Sequence, residues 1–173
     1  MTSRLGKAMA MVAAVGAVVI AVACSGCSKT VTQARPRPCA DWAVAFGSRI
    51  GLYTGHVVRY LAFTNRSGQA CTLAGYPAIA AVTSPGGSQV GAAASRGPGR
   101  ARQVVLAPGG RAWATLVMSN WQDFGTACSP RQAWGLRVYP PGQRVARYLP
   151  FAGRVCSGPV HMFMWVGPVR RAA

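Results

Sequence analysis

Cys24, Cys27, Cys39, Cys71, Cys128 and Cys156 carry most of the covalent chemistry open to this sequence. The first two close an apolar run of sixteen residues, Ala8 to Ala23, that follows the basic residues Arg4 and Lys7. A basic start, a short apolar stretch and small residues before a cysteine make an export signal leading into a lipid-attachment site. The apolar run falls short of the roughly 20 residues that span a bilayer comfortably, so removal of the segment is expected. Ser25-Gly26 places two small residues before Cys27, the expected lipidation site. Cys24 is the alternative, and Ala21-Val22-Ala23 also reads as a plain cleavage site that would release a secreted, unlipidated protein. A cysteine bearing two or three fatty acyl chains anchors durably, where one chain is marginal.

Lipidation at Cys27 leaves Cys39, Cys71, Cys128 and Cys156, an even set in an oxidising compartment, and hence two expected disulfides. Three pairings are possible and the sequence alone does not choose; the most local joins Cys39 to Cys71 and Cys128 to Cys156. A cysteine-rich metal site is disfavoured, because no C-x-x-C pair survives beyond Cys27.

Other chemistry is sparse. The imidazole and thioethers of His161-Met162-Phe163-Met164 suit copper, yet in a strand Met162 and Met164 share one face and His161 takes the other. The only carboxylates are Asp41 and Asp123, and the only imidazoles are His56 and His161. No G-x-S-x-G nucleophile elbow occurs. A hydrolase using His56 or His161 and a copper-binding protein therefore stand as alternatives to a non-enzymatic protein with no catalytic residues, metal or cofactor. Trp42, Trp113, Trp121 and Trp134 are candidates for a carbohydrate-stacking platform, though tryptophans more often pack in a core or at an edge.

Charge is the second strong signal. Nineteen Lys and Arg face two Asp and no Glu, a net charge of +17. Summed positive potential attracts anionic polymers and lipid headgroups. Arg96, Arg100 and Arg102, in the glycine-rich stretch from Ser84 to Arg102, are the nominated ligand-binding residues for an anionic envelope polymer, lipid or protein. Dispersal of arginine along the whole sequence favours an ordinary solvated surface, and only the fold can gather a patch. Nucleic acid is a poor partner for an exported protein with no nucleic-acid-binding motif.

Four segments are expected: a signal over 1–26, a proline-stiffened tether over 27–38, a domain over 39–169 and a tail over 170–173. Strands are predicted at Asp41 to Phe46, His56 to Thr64, Ile79 to Val82, Gln103 to Leu106, Ala112 to Met118, Ala133 to Tyr139, Ala146 to Phe151 and Val160 to Val166. The strand from His56 is apolar on both faces and is expected to be central. Pro108-Gly109-Gly110 suggests a hairpin between its flanking strands. Ser84 to Arg102 is expected to be a mobile surface loop, with a short strand near Gln89 to Ala92. Short strands separated by Gly and Pro turns describe an all-β, two-sheet antiparallel β-sandwich, immunoglobulin-like in general architecture.

Leu61-Ala62-Phe63-Thr64-Asn65-Arg66-Ser67-Gly68, Cys71-Thr72-Leu73-Ala74-Gly75-Tyr76-Pro77, Leu106-Ala107-Pro108-Gly109-Gly110 and Val138-Tyr139-Pro140-Pro141-Gly142 resemble the family of the domain of unknown function DUF4232. The resemblance runs from Cys39 to about Val169, nearly the whole region after the tether. It implies an exported or lipid-anchored protein with a β-sandwich domain, supports the local disulfide pairing and brings no catalytic residues. The expected location is the extracytoplasmic face of the cell membrane, held by the lipid, with secretion as the alternative.

Overall fold

Branched and aromatic residues fill the intervals between the glycine and proline clusters, and those intervals fold as strands. The computed structural model describes residues 36–158 and 163–171. Cys24, Cys27, His161 and Met162, and with them the expected signal and most of the tether, lie outside the described residues. The first strands are β1 (Arg37–Pro38), β2 (Trp42–Tyr53), β3 (His56–Asn65), β4 (Cys71–Ala74), β5 (Ala78–Val82) and β6 (Ser95–Arg96). They are followed by β7 (Gln103–Leu106), β8 (Arg111–Ser119), a short 3-10 segment (Trp121–Ala127), β9 (Pro130–Tyr139), β10 (Arg147–Cys156), β11 (Met164–Val166) and β12 (Arg170–Arg171).

Pairing sorts these strands into an all-β sandwich. One layer is the sheet β2-β3-β8-β11-β6, with β12 also on β8. The opposite layer comes from two short ladders, β1-β4-β7 and β10-β9-β5. Alternation does the sorting: Leu61 and Phe63 of β3 and Ala112, Ala114 and Leu116 of β8 are all at most 1% exposed. They share one core with Leu73, Ile79, Ala81, Leu136 and Val138 of the facing ladders. β3 is central as expected, between β2 and β8. Its outward residues Val58 and Tyr60 are nevertheless only partly covered.

Several elements differ from the sequence expectation. β2 continues through a bulge between Phe46 and Ile50 and reaches Tyr53, turning into β3 at Thr54-Gly55. β10 runs on to Cys156, past the expected end at Phe151. β7 and β8 are not a hairpin: β7 pairs with β4, and β8 pairs with β3. The Pro108-Gly109-Gly110 turn instead arches from one layer to the other, because Asn65 captures it. Asn65 is 1% exposed. Its backbone N–H donates to Gly110 O at 3.0 Å, and Gly109 N–H donates to its carbonyl at 2.9 Å.

The glycine-rich stretch is tied down rather than free. Val90 N–H donates to Ala81 O and Ala94 N–H to Ile79 O, each at 2.8 Å, and Val90 is buried. The expected strand near Gln89 to Ala92 is a single bridge between Gln89 and Val82. Among the described residues every peptide bond is trans, Pro77 included.

Two disulfides close the ends. Cys39–Cys71 joins the start of the domain to β4, and Cys128–Cys156 joins the residue after the 3-10 segment to the end of β10. This is the local pairing.

Candidate functional site: an arginine-lined groove

Arginine cannot be buried cheaply, so the fold must place each guanidinium either on an aromatic face, on a carbonyl or in water. Many are absorbed internally. The guanidinium carbon of Arg59 lies 5.2 Å from the ring centre of Phe46, that of Arg147 5.5 Å from Trp42, and that of Arg154 5.7 Å from Trp121. Arg137 donates to Gly87 O.

Four others converge without such partners among the described residues. Residues 164–171 follow the edge of β8, first as β11 and then as β12, with Gly167 N–H donating to Thr115 O at 2.8 Å. Val169 N–H donates to Gly75 O at 2.9 Å, which fixes this segment against the turn after β4. The segment entering β7 runs alongside: Gly97 N–H donates to Val166 O at 2.8 Å, and the Tyr76 hydroxyl donates to Gly99 O. Between the two lies a groove of about 670 Å³ lined by Arg100, Arg102, Gln103, Val104, Val169, Arg170 and Arg171. Val104 and Val169 are its buried floor, at 7% and 1% exposure, and the four arginines are exposed around it.

Neither aspartate is among the described residues that line this groove. Asp41 precedes β2 and Asp123 lies in the 3-10 segment, and two acids can neutralise at most two of the chain's nineteen cations. Four like charges around one concavity sum into a local potential that an anion relieves, and guanidinium forks match carboxylate and phosphate oxygens in pairs. A second cavity of about 300 Å³, lined by Arg137, Tyr139, Arg147 and Tyr148 among others, differs in kind. Both of its arginines are already engaged, on Gly87 O and on the Trp42 ring.

Residues 39–169 match the family described as a domain of unknown function, DUF4232. The chain belongs to that family. Nothing matches among curated proteins or solved structures. The match ends at Val169, so Arg170 and Arg171 stand just beyond the DUF4232 region and complete a groove that begins inside it.

Of the three nominated arginines in this DUF4232 domain, Arg100 and Arg102 line the groove. Arg96 does not; its guanidinium carbon sits 5.6 Å from the ring centre of Tyr76, beside the hydroxyl that holds Gly99. Arg170 and Arg171, tail residues on the sequence expectation, instead pair with Trp113 and Ala112 as part of the sheet. The apolar spacing in Trp165-Val166-Gly167-Pro168-Val169 is the available signal, masked by Pro168.

The remaining candidates separate. His56 lies opposite Ser119 across the β3–β8 ladder, and Asp123 comes close to Gly55. The Nδ1 atom of His56 is buried with no hydrogen-bond partner, so the orienting bond of a nucleophilic triad is not made. Met164 is 2% exposed and packs in the core. The four tryptophans do not assemble: Trp42 is buried against Phe63, Trp121 stacks under Arg154, Trp134 is 58% exposed on β9, and Trp113 lies on the outer face of the six-stranded sheet.

Proposed function

We propose that this DUF4232 protein is a non-enzymatic binding module of the cell envelope, anchored by lipid at Cys27 to the extracytoplasmic face of the membrane, that holds an anionic envelope component. The observation that carries the binding role is the convergence of Arg100, Arg102, Arg170 and Arg171 on one groove that neither aspartate lines. Two disulfides suit an oxidising compartment.

The groove is tested with long-chain inorganic polyphosphate at low salt. Each arginine near an anionic ligand contributes about 1 kcal/mol, so the double variant Arg100→Ala/Arg102→Ala is expected to bind about 30-fold more weakly. Arg131→Ala/Arg144→Ala removes two exposed arginines outside the groove and is expected to weaken binding less than about threefold. Equal losses in the two variants would mean that net charge, not the groove, does the binding.

Anchoring is tested by the intact mass of the membrane-extracted protein. A mass that begins at Cys27 and carries acyl chains is expected; an unacylated chain beginning at Cys24 would make it a secreted protein.

A hydrolase centred on His56 is the second reading, favoured by Ser119 opposite it on the β3–β8 ladder and by Asp123 close to the preceding Gly55. Ester hydrolysis by the purified protein that disappears in His56→Ala would establish it in place of the binding role.

A further inference from the structure

The outer face of the six-stranded sheet carries aromatic rings where solvent-facing strands usually carry polar ones. By register, Tyr60 and Ala62 of β3, Trp113, Thr115 and Val117 of β8 and Trp165 of β11 share that face. Two of these rings rest on glycines. A Cβ on Gly47 would stand 2.6 Å from the Trp113 ring and 3.4 Å from the Tyr60 Cβ. Trp113 therefore reaches from β8 across β3 to β2, which is possible only if its ring lies along the sheet. A Cβ on Gly97 would likewise collide with the six-membered ring of Trp165. Both indoles are half-buried.

This aromatic face runs into the arginine groove. Arg170 is directly opposite Trp113 on the β8–β12 ladder, a spacing at which Cβ atoms lie about 5 Å apart. One short segment borders both regions. Gly97 lies beneath Trp165, and Gly99 lies so close to Arg170 that a Cβ there would stand 2.9 Å from its Nη2 atom. Arg100 and Arg102 follow in the groove wall. Three residues from Gly97 to Arg100 span at most about 10 Å, roughly the length of two sugar units. Flat rings next to a concentrated positive charge are complementary to a ligand that is itself flat, C–H rich and negatively charged. Pyranose rings present polarised C–H bonds to the electron-rich face of an indole, and their carboxylate or phosphate groups pair with guanidinium forks.

The geometry points to an acidic polysaccharide as the ligand: a sugar ring stacks on Trp165 while anionic groups along the chain enter the groove at Arg170, Arg100 and Arg102. This deepens the proposed binding role and rests on it. A bare polyanion would use the arginines alone.

Polygalacturonate and inorganic polyphosphate of matched charge serve as probes, read by affinity at fixed low salt and by tryptophan emission. Polygalacturonate is expected to change the tryptophan emission on binding. Trp165→Ala is expected to weaken polygalacturonate about tenfold and polyphosphate less than about twofold. Gly97→Ala displaces the ring without removing it and should shift the same way, so the test survives if Trp165→Ala fails to fold. Polyphosphate binding with no polygalacturonate binding overturns the saccharide and leaves the groove standing. Failure of both probes overturns both. Equal affinities that neither variant alters, or tighter arginine-dependent binding to phosphatidylglycerol vesicles that ignores Trp165→Ala, also overturns the saccharide.

Discussion

Replacing Cys39, Cys71, Cys128 and Cys156 together with alanine is expected to lower the stability of the domain by about 7 kcal/mol and leave it largely unfolded at about 37 °C. The bridges close loops with sequence separations of 32 and 28. In the chain-entropy model loops of that size each restrict the unfolded chain by about 3.6 kcal/mol, and separate, local bridges contribute nearly additively. A domain of this size is commonly stable by about 5–15 kcal/mol, so the sum is comparable with the whole. The folded side is thin where the bridges sit. β1 is two residues and β4 four, and the first bridge fastens both, together with the Cys39 N–H donating to Thr72 O at 3.1 Å. Urea midpoints for the four-cysteine variant and for each pair separately check the size and the additivity. Unfolding free energies within about 1 kcal/mol of the native protein's would show that the bridges decorate a self-sufficient core. The expected result also couples folding to oxidation of the four cysteines.

Alternation and turn residues carry most of the strand pattern in the sequence, because burying one face of a pleated strand leaves a period of two. Three long strands, β3, β8 and β9, are visible for that reason. Hydrogen-bond partners are not, since a turn such as Pro108-Gly109-Gly110 is compatible with a hairpin and with an arch. What decides between them is one side chain 41 residues away, Asn65 reaching Leu106 O. β1, β6 and β12 are two residues each, too short for any period. The groove is visible by half. Arg100 and Arg102 are marked by their density in a glycine-rich stretch, whereas Arg170 and Arg171 acquire meaning only when β12 docks on β8. Simple alternation puts Trp165 on a face shared with His161 and Phe163, but Phe163 is 6% exposed in the core while Trp165 lies on the outer face. The chain leaves that alternation at Phe163, just where β11 begins.

Asn65→Ala is expected to cost about 4 kcal/mol, an unusual loss for a single polar side chain. Its Nδ2 group donates to Gln69 O at 2.7 Å, Leu106 O at 3.1 Å and Ala107 O at 3.1 Å. Its Oδ1 atom accepts from Ser67 N–H at 2.9 Å and from the Ser67 hydroxyl at 2.7 Å. Alanine keeps the backbone but strands several of these groups away from water, each at about 1–3 kcal/mol when no partner replaces the lost one. Asn65→Asp separates hydrogen bonding from shape. The aspartate preserves the volume and the acceptor side, yet the oxygen that replaces Nδ2 faces the carbonyls of Leu106 and Ala107, so it is expected to destabilise at least as much as alanine. Ser67→Ala, which removes a part-exposed hydroxyl shared between Asn65 Oδ1 and Gln69 O, should cost about 1 kcal/mol. Urea unfolding of the three variants orders them; an Asn65→Asp midpoint equal to the native one would show that the donors to Leu106 and Ala107 contribute nothing. The consequence reaches the groove. Asn65 fixes the end of β7 against the start of β8, β7 supplies Val104 and Gln103 to the groove, and β8 holds Arg170 and Arg171. Loosening that arch separates the two walls, so folded Asn65→Ala protein is also expected to bind polyphosphate more weakly, although Asn65 itself does not line the groove.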